Sequence, residues 1–480
     1  MCAVLEAKMV QLRNREGHIA LADIPALRRQ PLRAGHVPVD IALRIENFVH
    51  IETAYGSAIA GEAVEHVRRV LQRILKDDGS VGPAAGGVVR AAIRDAAVFG
   101  EGGVDGAASW IGVLCDELTL APVRTSAGPI HIWLSGGLSG GDTDRIEVGA
   151  DQAVTDREDH AGISVNPTFC GAAIGGARGA AARYRCDMGR VAAWLEAFDA
   201  PAAPAHGAPI APQLFWQPVC DAHEPSRVLY HEALLRPLSR DGADSSFLDE
   251  ILAFERLGFA RLLDRRIVTM VLAELQASRD VVLGVNISAQ SAEMDGWWGE
   301  IEQWLRHNRD VAARLIIEIT ETAAFPNISA AVTFASRMKR AGCRIAVDDF
   351  GAGHASIRQA IALAPDIVKV DGVFLRQAAR CERARATFGH LTGIARAMAA
   401  TVIVEGVESA NDAQIAIDAG ADGVQGYHCG RPSLSACWKV AGRVPQQHRN
   451  SPSPRREAVV THRHDRRVGA PLLTAVGSVK

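Results

Sequence analysis

The chain has 480 residues, 48% of them hydrophobic and 22% charged, with a formal net charge of −3. At roughly 150 residues per domain this predicts two or three domains with a sizeable core, and excludes a disordered chain, a collagen or a disulfide-knit miniature. The near-neutral sum excludes a strongly basic nucleic-acid binder but conceals an asymmetry: from Cys437 onward nine Lys+Arg face two acids, a net +7, leaving −10 on residues 1–436.

Nine cysteines are scattered with no C-x-x-C pair, which argues against a disulfide framework or a zinc ribbon and for free thiols in a reducing compartment. No run of about 18 apolar residues occurs, and no apolar signal core follows Met1-Cys2-Ala3-Val4, so no transmembrane segment and a cytoplasmic location are expected.

In chain order, residues 1–35 read as an extension, and residues 36–198 as a first domain. It opens with a strand at Val39–Ile45, a turn, and an amphipathic helix at Ala58–Leu75; a later strand ends in Ser135-Gly136-Gly137. This half resembles a GGDEF (diguanylate cyclase) domain that has lost its chemistry. Arg44-Ile45-Glu46-Asn47-Phe48 stands where that family has Asp-x-Asp-x-Phe, and a cation at Arg44 is incompatible with a metal ligand. Glu52 and Glu62 replace the nucleotide-binding Asn and Asp, and their charge would repel the phosphates of GTP. The signature falls at Gly86-Gly87-Val88-Val89-Arg90, without its two acids; Asp142 lies too far along to supply one. Asp77 and Ser80 stand where the product-inhibition Arg and Asp would be. The resemblance implies a smaller α/β domain with a mostly antiparallel central sheet that does not synthesise c-di-GMP. It would serve stability or dimerisation, or act as a regulatory or partner-binding module.

Residues 199–212, DAPAAPAHGAPIAP, hold four prolines and almost no charge; such a stretch neither continues a helix nor pairs centrally in a sheet, and reads as a linker. The last segment, residues 437–480, is basic and Pro/Ser-containing and reads as a solvated, disordered tail. A nucleic-acid or membrane-surface arm is the sharper alternative for it, but no nucleic-acid partner is expected for the chain.

Between linker and tail, residues 213–436 alternate short apolar runs with helical stretches. The runs are Leu214–Val219, Val281–Val285, Leu315–Ile317, Arg344–Val347, Ile367–Val370 and Thr401–Val404, and the helical stretches include Phe247–Ala277 and Ala330–Ala341. Strands buried on both faces and alternating with helices predict a parallel α/β sheet. About eight strands in about 220 residues favour a (β/α)8 barrel over an open doubly wound sheet. Neither G-x-G-x-x-G after the first strand nor G-x-x-x-x-G-K-[ST] is present, which weakens dinucleotide and P-loop readings.

Polar residues gather at the ends of these runs: Glu232, Asn286, Glu318 with Thr320 and Glu321, Asp348-Asp349, Lys369 with Asp371, Glu405 with Glu408, and Gln425. A single acid after a strand is usually a helix N-cap. Seven such strand ends are too many to be caps alone, and in a barrel they converge at one mouth. Carboxylates and an amide, without His or Cys, make a hard oxygen site suited to Mg²⁺ or Mn²⁺ rather than zinc. Adjacent acids such as Asp348 and Asp349 can serve two cations for in-line displacement at phosphorus, with Lys369 as a point charge. The residues therefore predict metal-dependent phosphoester hydrolysis.

These residues also carry a resemblance. Glu232-Ala233-Leu234-Leu235-Arg236, Val285-Asn286-Ile287-Ser288, Glu318-Ile319-Thr320-Glu321, Asp348-Asp349-Phe350-Gly351-Ala352-Gly353, Lys369-Val370-Asp371, Glu405-Gly406-Val407-Glu408 and Gln425-Gly426-Tyr427 resemble, in order, the motifs of the EAL domain, the c-di-GMP phosphodiesterase family. The resemblance implies a modified (β/α)8 TIM-like barrel that opens c-di-GMP to linear pGpG. Glu232, Asn286, Glu318 and Asp348 would ligate a first Mg²⁺ or Mn²⁺, and Asp348 and Asp349 a second, with Asp371 and Glu405 close by. Lys369 would position the attacking water, Arg236 would hold a phosphate, and Gln425 and Gln217 would line the substrate pocket. Glu321 would brace the loop from Asp349 to His354. Pro237 stands in place of a common aromatic residue, and His354-Ala355 in place of Tyr-Ser; neither removes a ligand. A homodimer is left open. The alternative is a receptor that binds c-di-GMP with little turnover, but binding-only relatives typically lose one or more of the acids retained here.

Overall fold

In a computed structural model, the structure describes residues 39–94, 107, 110–112, 114–115, 118–119, 121–139, 146–147, 176–199, 212–237, 247–320, 325–352 and 357–439. All of them belong to one compact unit, which ends at Lys439. Most of the linker, the tail beyond Lys439, Asp142, Glu321 and His354-Ala355 lie outside the described residues.

The first half builds a five-stranded sheet from β1 (Val39–Ile45), β2 (Gly79–Val81), β3 (Val88–Ile93), β6 (Leu134–Ser139) and β7 (Ile146–Glu147), in the order β2-β3-β1-β6-β7. Every pairing in it is antiparallel. A separate hairpin joins β4 (Val123–Thr125) to β5 (Gly128–Ile130). The expected strand at Val39–Ile45 is present, and the amphipathic helix runs Ser57–Leu75, burying Ile59, Ala63, Val67, Val70 and Leu71. The segment before it, expected as a turn, is itself a helix, Phe48–Tyr55. Asn47 anchors its start: its amide donates to the His131 carbonyl, and its oxygen accepts from Trp133 N–H.

Glu62, on the amphipathic helix, has a structural task. Its carboxylate accepts from the Ser126 N–H and hydroxyl and so ties the β4–β5 hairpin to the helix. Gly86 and Gly87, both at positive φ, make the turn between β2 and β3. With Phe48, Glu65 and Arg68 they line a cavity of about 430 Å³.

The second half is a closed barrel of β8 (Pro212–Asp221), β9 (Val228–Pro237), β10 (Leu283–Ser288), β11 (Leu315–Thr320), β12 (Arg344–Phe350), β13 (Ile367–Val370), β14 (Thr401–Val404) and β15 (Gly423–Gln425). Seven strands follow one another in parallel, as the buried apolar runs predict; β8 alone is antiparallel to both its neighbours, β9 and β15. The exception follows from connectivity. The β8–β9 link is a short turn in which Asp221 Oδ1 accepts from the N–H groups of His223 and Glu224, too short for the crossover that a parallel pair needs. The stretch Phe247–Ala277, expected as one helical segment, is two helices, Leu248–Arg256 and Ala260–Ala277, broken where Gly258 takes φ 76°.

Contacts that join the halves include an ion pair and a ring contact. Arg256, on the first barrel helix, makes a two-pronged pair at 2.7 and 2.8 Å with buried Asp187, on the helix Gly176–Asp199. Trp194 of that helix packs on Phe247, with ring centroids 4.5 Å apart. At the other end, Trp438 lies within the segment expected to be tail, yet it packs edge-on against Trp216 and beside His231 on the barrel wall, and donates to Glu274. The folded part therefore runs past residue 436. No helix among the described residues is long and apolar enough to cross a membrane.

Candidate active site

The site follows from the period-two alternation of the barrel strands. Val219, Tyr230, Ile316, Ala346, Ile367 and Ile403 point into the barrel and form a closed apolar plug of their own. Two residues further toward the mouth on the same strands stand Gln217, Glu232, Glu318, Asp348, Lys369 and Glu405. A polar layer thus rests on an apolar one, at the carboxyl ends of the parallel strands where barrel sites are built.

Strand β10 contributes Asn286 to the polar layer, in register with Glu318 of β11. Below it Gly284 leaves a gap: a Cβ there would collide with Glu318 Oε1 and crowd the ring of Tyr230. Glu318 can bend over its neighbour only because that neighbour is glycine.

Lys369 is fully buried at the centre. Its ammonium lies 2.7 Å from Glu318 Oε2, 2.8 Å from Glu405 Oε1, 2.9 Å from Asp348 Oδ1 and 3.1 Å from Glu232 Oε2. Burial alone would lower its pKa, but Asp348, Glu232, Glu318 and Glu405 outweigh burial and hold it charged, well above the ordinary lysine value. One ammonium cannot neutralise the whole set. Burial, reinforced by Glu232 and Asp348, pushes Glu318 up to about 8. Burial, with Asp348 and Asp371 adding repulsion, pushes Asp349 up to about 7. Glu405 is raised well above the carboxylate range, by burial first and then by Asp348. Glu232 goes the other way: although burial opposes it, Lys369 and hydrogen bonds donated by the amides of Gln425 and Asn286 keep it ionised.

Asp348 and Asp349 are consecutive and would ordinarily point to opposite faces of β12. A register shift between Val347 and Phe350, together with φ 55° at Asp349, turns the second acid back toward the mouth. Oxygens of Glu232, Glu318 and Asp348 then lie within 4.8 Å of one another, as do those of Asp348, Asp349 and Glu405. The two clusters share Asp348. Asn286 Oδ1 and Glu318 Oε1 are buried with no hydrogen-bond donor among the described residues. Surplus negative charge, hard oxygen donors and unsatisfied acceptors fit one or two divalent cations such as Mg²⁺ or Mn²⁺ and do not fit zinc.

Above the clusters opens a cleft of about 300 Å³, lined among others by Gln217, Asp349, Asp371, Arg376, Glu405, Glu408, Gln425 and Tyr427. Gln217 and Gln425, expected at the substrate, are both there, with Gln425 Nε2 3.4 Å from Gln217 Oε1. Asp371 also lines the cleft, but its carboxylate caps the helix Gly372–Ala378 by accepting from Val373 N–H, and it joins neither acidic cluster. Arg236 is not brought to this cleft: its guanidinium donates to the Leu235 carbonyl. Arg376 and Tyr427 carry no role in the sequence reading. Tyr427 stands next to a recognised Gln-Gly pair, whereas Arg376 reaches the cleft from inside the helix and has no motif to mark it.

Residues 212–432 match the EAL domain family. Over 211 residues the chain is 28% identical to the cyclic di-GMP phosphodiesterase PdeF of Escherichia coli, an overlap of 42% of this chain and 28% of that protein. Over 135 residues it is 36% identical to an uncharacterized signaling protein of Caulobacter vibrioides, covering 27% of this chain and 16% of that one. Among solved structures, the FimX EAL domain from Pseudomonas aeruginosa bound to c-di-GMP is similar, with 23% identity, a TM-score of 0.44, and coverage of 51% of this chain and 97% of that one. The chain spans less than a third of the length of these two curated relatives. The EAL match begins at the first residue of β8 and ends before Trp438, so it coincides with the closed barrel and leaves the five-stranded sheet outside it.

Proposed function

We propose that the EAL barrel is a divalent-metal-dependent phosphodiesterase that hydrolyses c-di-GMP to pGpG. The observation that carries this reading is the pair of carboxylate clusters sharing Asp348, more anionic than buried Lys369 can balance. The names of relatives such as PdeF support the choice of c-di-GMP as substrate. Glu232, Asn286, Glu318 and Asp348 would hold one cation, and Asp348, Asp349 and Glu405 the other, with Asp371 at the rim. When bound, the cations supply a Lewis acid for phosphate oxygens and lower the pKa of water.

The chain's own residues do the rest. The Lys369 ammonium orients the attacking water and offsets the negative charge that builds on phosphorus. Glu405, whose pKa burial and Asp348 raise, would be ionised once bound cations offset that repulsion and then takes the proton released by that water. Glu232 keeps Lys369 in place, while Gln217 and Gln425 hold the substrate against the cleft wall. Arg236, which now rests on its own backbone, would swing to a phosphate when substrate enters. The phosphorus–oxygen bond to one ribose breaks, that ribose oxygen takes the proton that Glu405 received from the water, and the phosphate stays on the other nucleoside.

Residues 36–198 we read as a non-catalytic GGDEF-like domain with a regulatory or dimerising role. Support comes from Arg44 and the absent signature acids, from the commitment of Glu62 to Ser126, and from the Asp187–Arg256 bridge to the barrel. The test is incubation of the purified chain with c-di-GMP and Mn²⁺ or Mg²⁺, with and without chelator, following pGpG. Product only in the presence of metal supports the enzyme. Tight binding with no product under any condition overturns it in favour of a c-di-GMP receptor.

A further inference from the structure

Arg376 is the one cation among the described residues lining the cleft, where Asp349, Asp371, Glu405 and Glu408 are all acids. It sits one turn into the helix Gly372–Ala378, just after β13. Helical side chains lean back toward the N-terminus, over the residue four positions earlier. That residue is Gly372, and against it lies Gly406, two residues past β14. A Cβ on Gly372 would stand 3.1 Å from Arg376 Nη1, and one on Gly406 would stand 3.2 Å from the same nitrogen. The guanidinium thus lies in a bay that two glycines on neighbouring loops keep clear, and the bay opens on the cleft. Exposed there, it makes no hydrogen bond or ion pair among the described residues.

This cleft must admit a dianion. c-di-GMP carries two phosphodiesters, and the acidic clusters with their cations can engage the one under attack. The other brings a full negative charge against a wall that is otherwise acidic, and repulsion there costs affinity unless a cation meets it. Arg236, the arginine expected to hold a phosphate, stands near the end of β9. In the closed ring of strands β9 and β13 are four places apart, so Arg236 and Arg376 rise on opposite sides of the mouth. A guanidinium is permanently charged, and its planar fork of donors matches two oxygens of a phosphate. We propose that Arg376 is a substrate-binding residue, which clamps the phosphodiester of c-di-GMP that is not cut. This rests on the reading of the cleft as the c-di-GMP site.

The test is steady-state kinetics on c-di-GMP with Mn²⁺ for the full chain and its variants, with melting curves as a folding control. Arg376→Gln removes the charge and keeps much of the length. It is expected to raise KM about tenfold while kcat stays within about threefold, since a clamp on the uncut phosphate acts on binding rather than on the reacting one. Arg376→Lys keeps the charge without the fork and is expected to raise KM only about threefold. The rise of KM with added KCl is expected to be shallower in Arg376→Gln than in the parent, because one attraction that salt screens has gone. If the parent binds c-di-GMP without turnover, Kd from calorimetric titration takes the place of KM and the same ratios are expected. An unchanged KM in Arg376→Gln overturns the inference alone, and so does a lysine variant as impaired as the glutamine one. A fall in kcat of more than tenfold with KM unchanged also overturns it, by placing Arg376 on the reacting phosphate. A parent chain that neither binds nor hydrolyses c-di-GMP overturns the underlying reading, and the inference with it.

Discussion

Lys369 Nζ and Glu318 Oε2 meet at 2.7 Å, with both side chains sealed from solvent. A buried pair of this kind stands on a balance, since each charge has lost its hydration and depends on its partners. Lys369 serves four carboxylates at once, so removing it leaves all four uncompensated. Lys369→Met is expected to abolish hydrolysis and to destabilise the metal-free protein by about 3 kcal/mol. Added Mg²⁺ is expected to restore part of that stability but none of the activity. Thermal melts with and without Mg²⁺ check the first expectation, and a pGpG assay the second.

Glu232→Gln tests the opposite change. The variant keeps one of the two oxygens, of which Oε1 accepts from Asn286 and Oε2 from Gln425, and it removes one charge from a cluster that already has too many. Hydrolysis is expected to vanish while the melting temperature changes little. Undiminished turnover would refute the assignment of Glu232 to the metal site.

Protonation of the cluster predicts a pH dependence of known sign. Glu318 at about 8 and Asp349 at about 7 lie above their ordinary values of 4.5 and 3.8, with burial as the first cause in both. The stability these groups contribute in the chelated protein is full below the ordinary carboxylate range and is lost as pH rises through 7 to 8. The chelated protein is therefore expected to melt lower at pH 8.5 than at pH 5.5. A divalent cation must displace the same protons, so Mg²⁺ affinity is expected to climb with pH through that range, by up to about tenfold per unit for each proton displaced, and to level off above it. Calorimetric titrations of Mg²⁺ at several pH values check this, and a flat profile would contradict it.

Gly284→Ala probes a position with no functional group at all. A Cβ there would take the space of Glu318 Oε1 and push the carboxylate off the cluster. Displacing a ligand by about 1 Å can cost about 10²-fold in rate, and a loss of that order is expected. Weakened Mg²⁺ binding in the same variant is expected too. Wild-type Mg²⁺ affinity would show that Glu318 does not need its glycine seat.

Arg256→Ala addresses the contact between the halves. It leaves buried Asp187 without its two-pronged partner, and destabilisation of about 2 kcal/mol is expected. Limited proteolysis is expected to cut near residues 200–211 sooner than in the parent chain. Unaltered cleavage would show that the bridge does not hold the halves together.

Much of the barrel is legible in the chain because its strands are buried on both faces. Runs such as Ile367–Val370 and Thr401–Val404 stand out as apolar, and each polar residue that ends one is therefore conspicuous. The same reasoning misses the break at Gly258, since the apolar period continues across it from Phe254 to Leu262 while only the backbone turns. The basic residues around Trp438 give its segment the character of a tail, yet the indole finds an apolar seat against Trp216 on the barrel wall. Charge along the chain does not register that seat, because Trp216 lies more than two hundred residues away.

What the sequence by itself determined was composition of the site: which strands end in acids, that a lysine accompanies them, and that the donors are hard oxygens. Those properties are local, because alternation along a strand sends a residue inward or outward without reference to the rest of the fold. Tertiary structure decided which of those residues work together. A bulge with a positive φ turned Asp349 toward the site, a helix N-terminus drew Asp371 into capping, and a glycine one strand away made room for Glu318. Each of those outcomes depends on the close approach of segments distant in the chain, and the pattern along a single strand carries no record of what will pack against it.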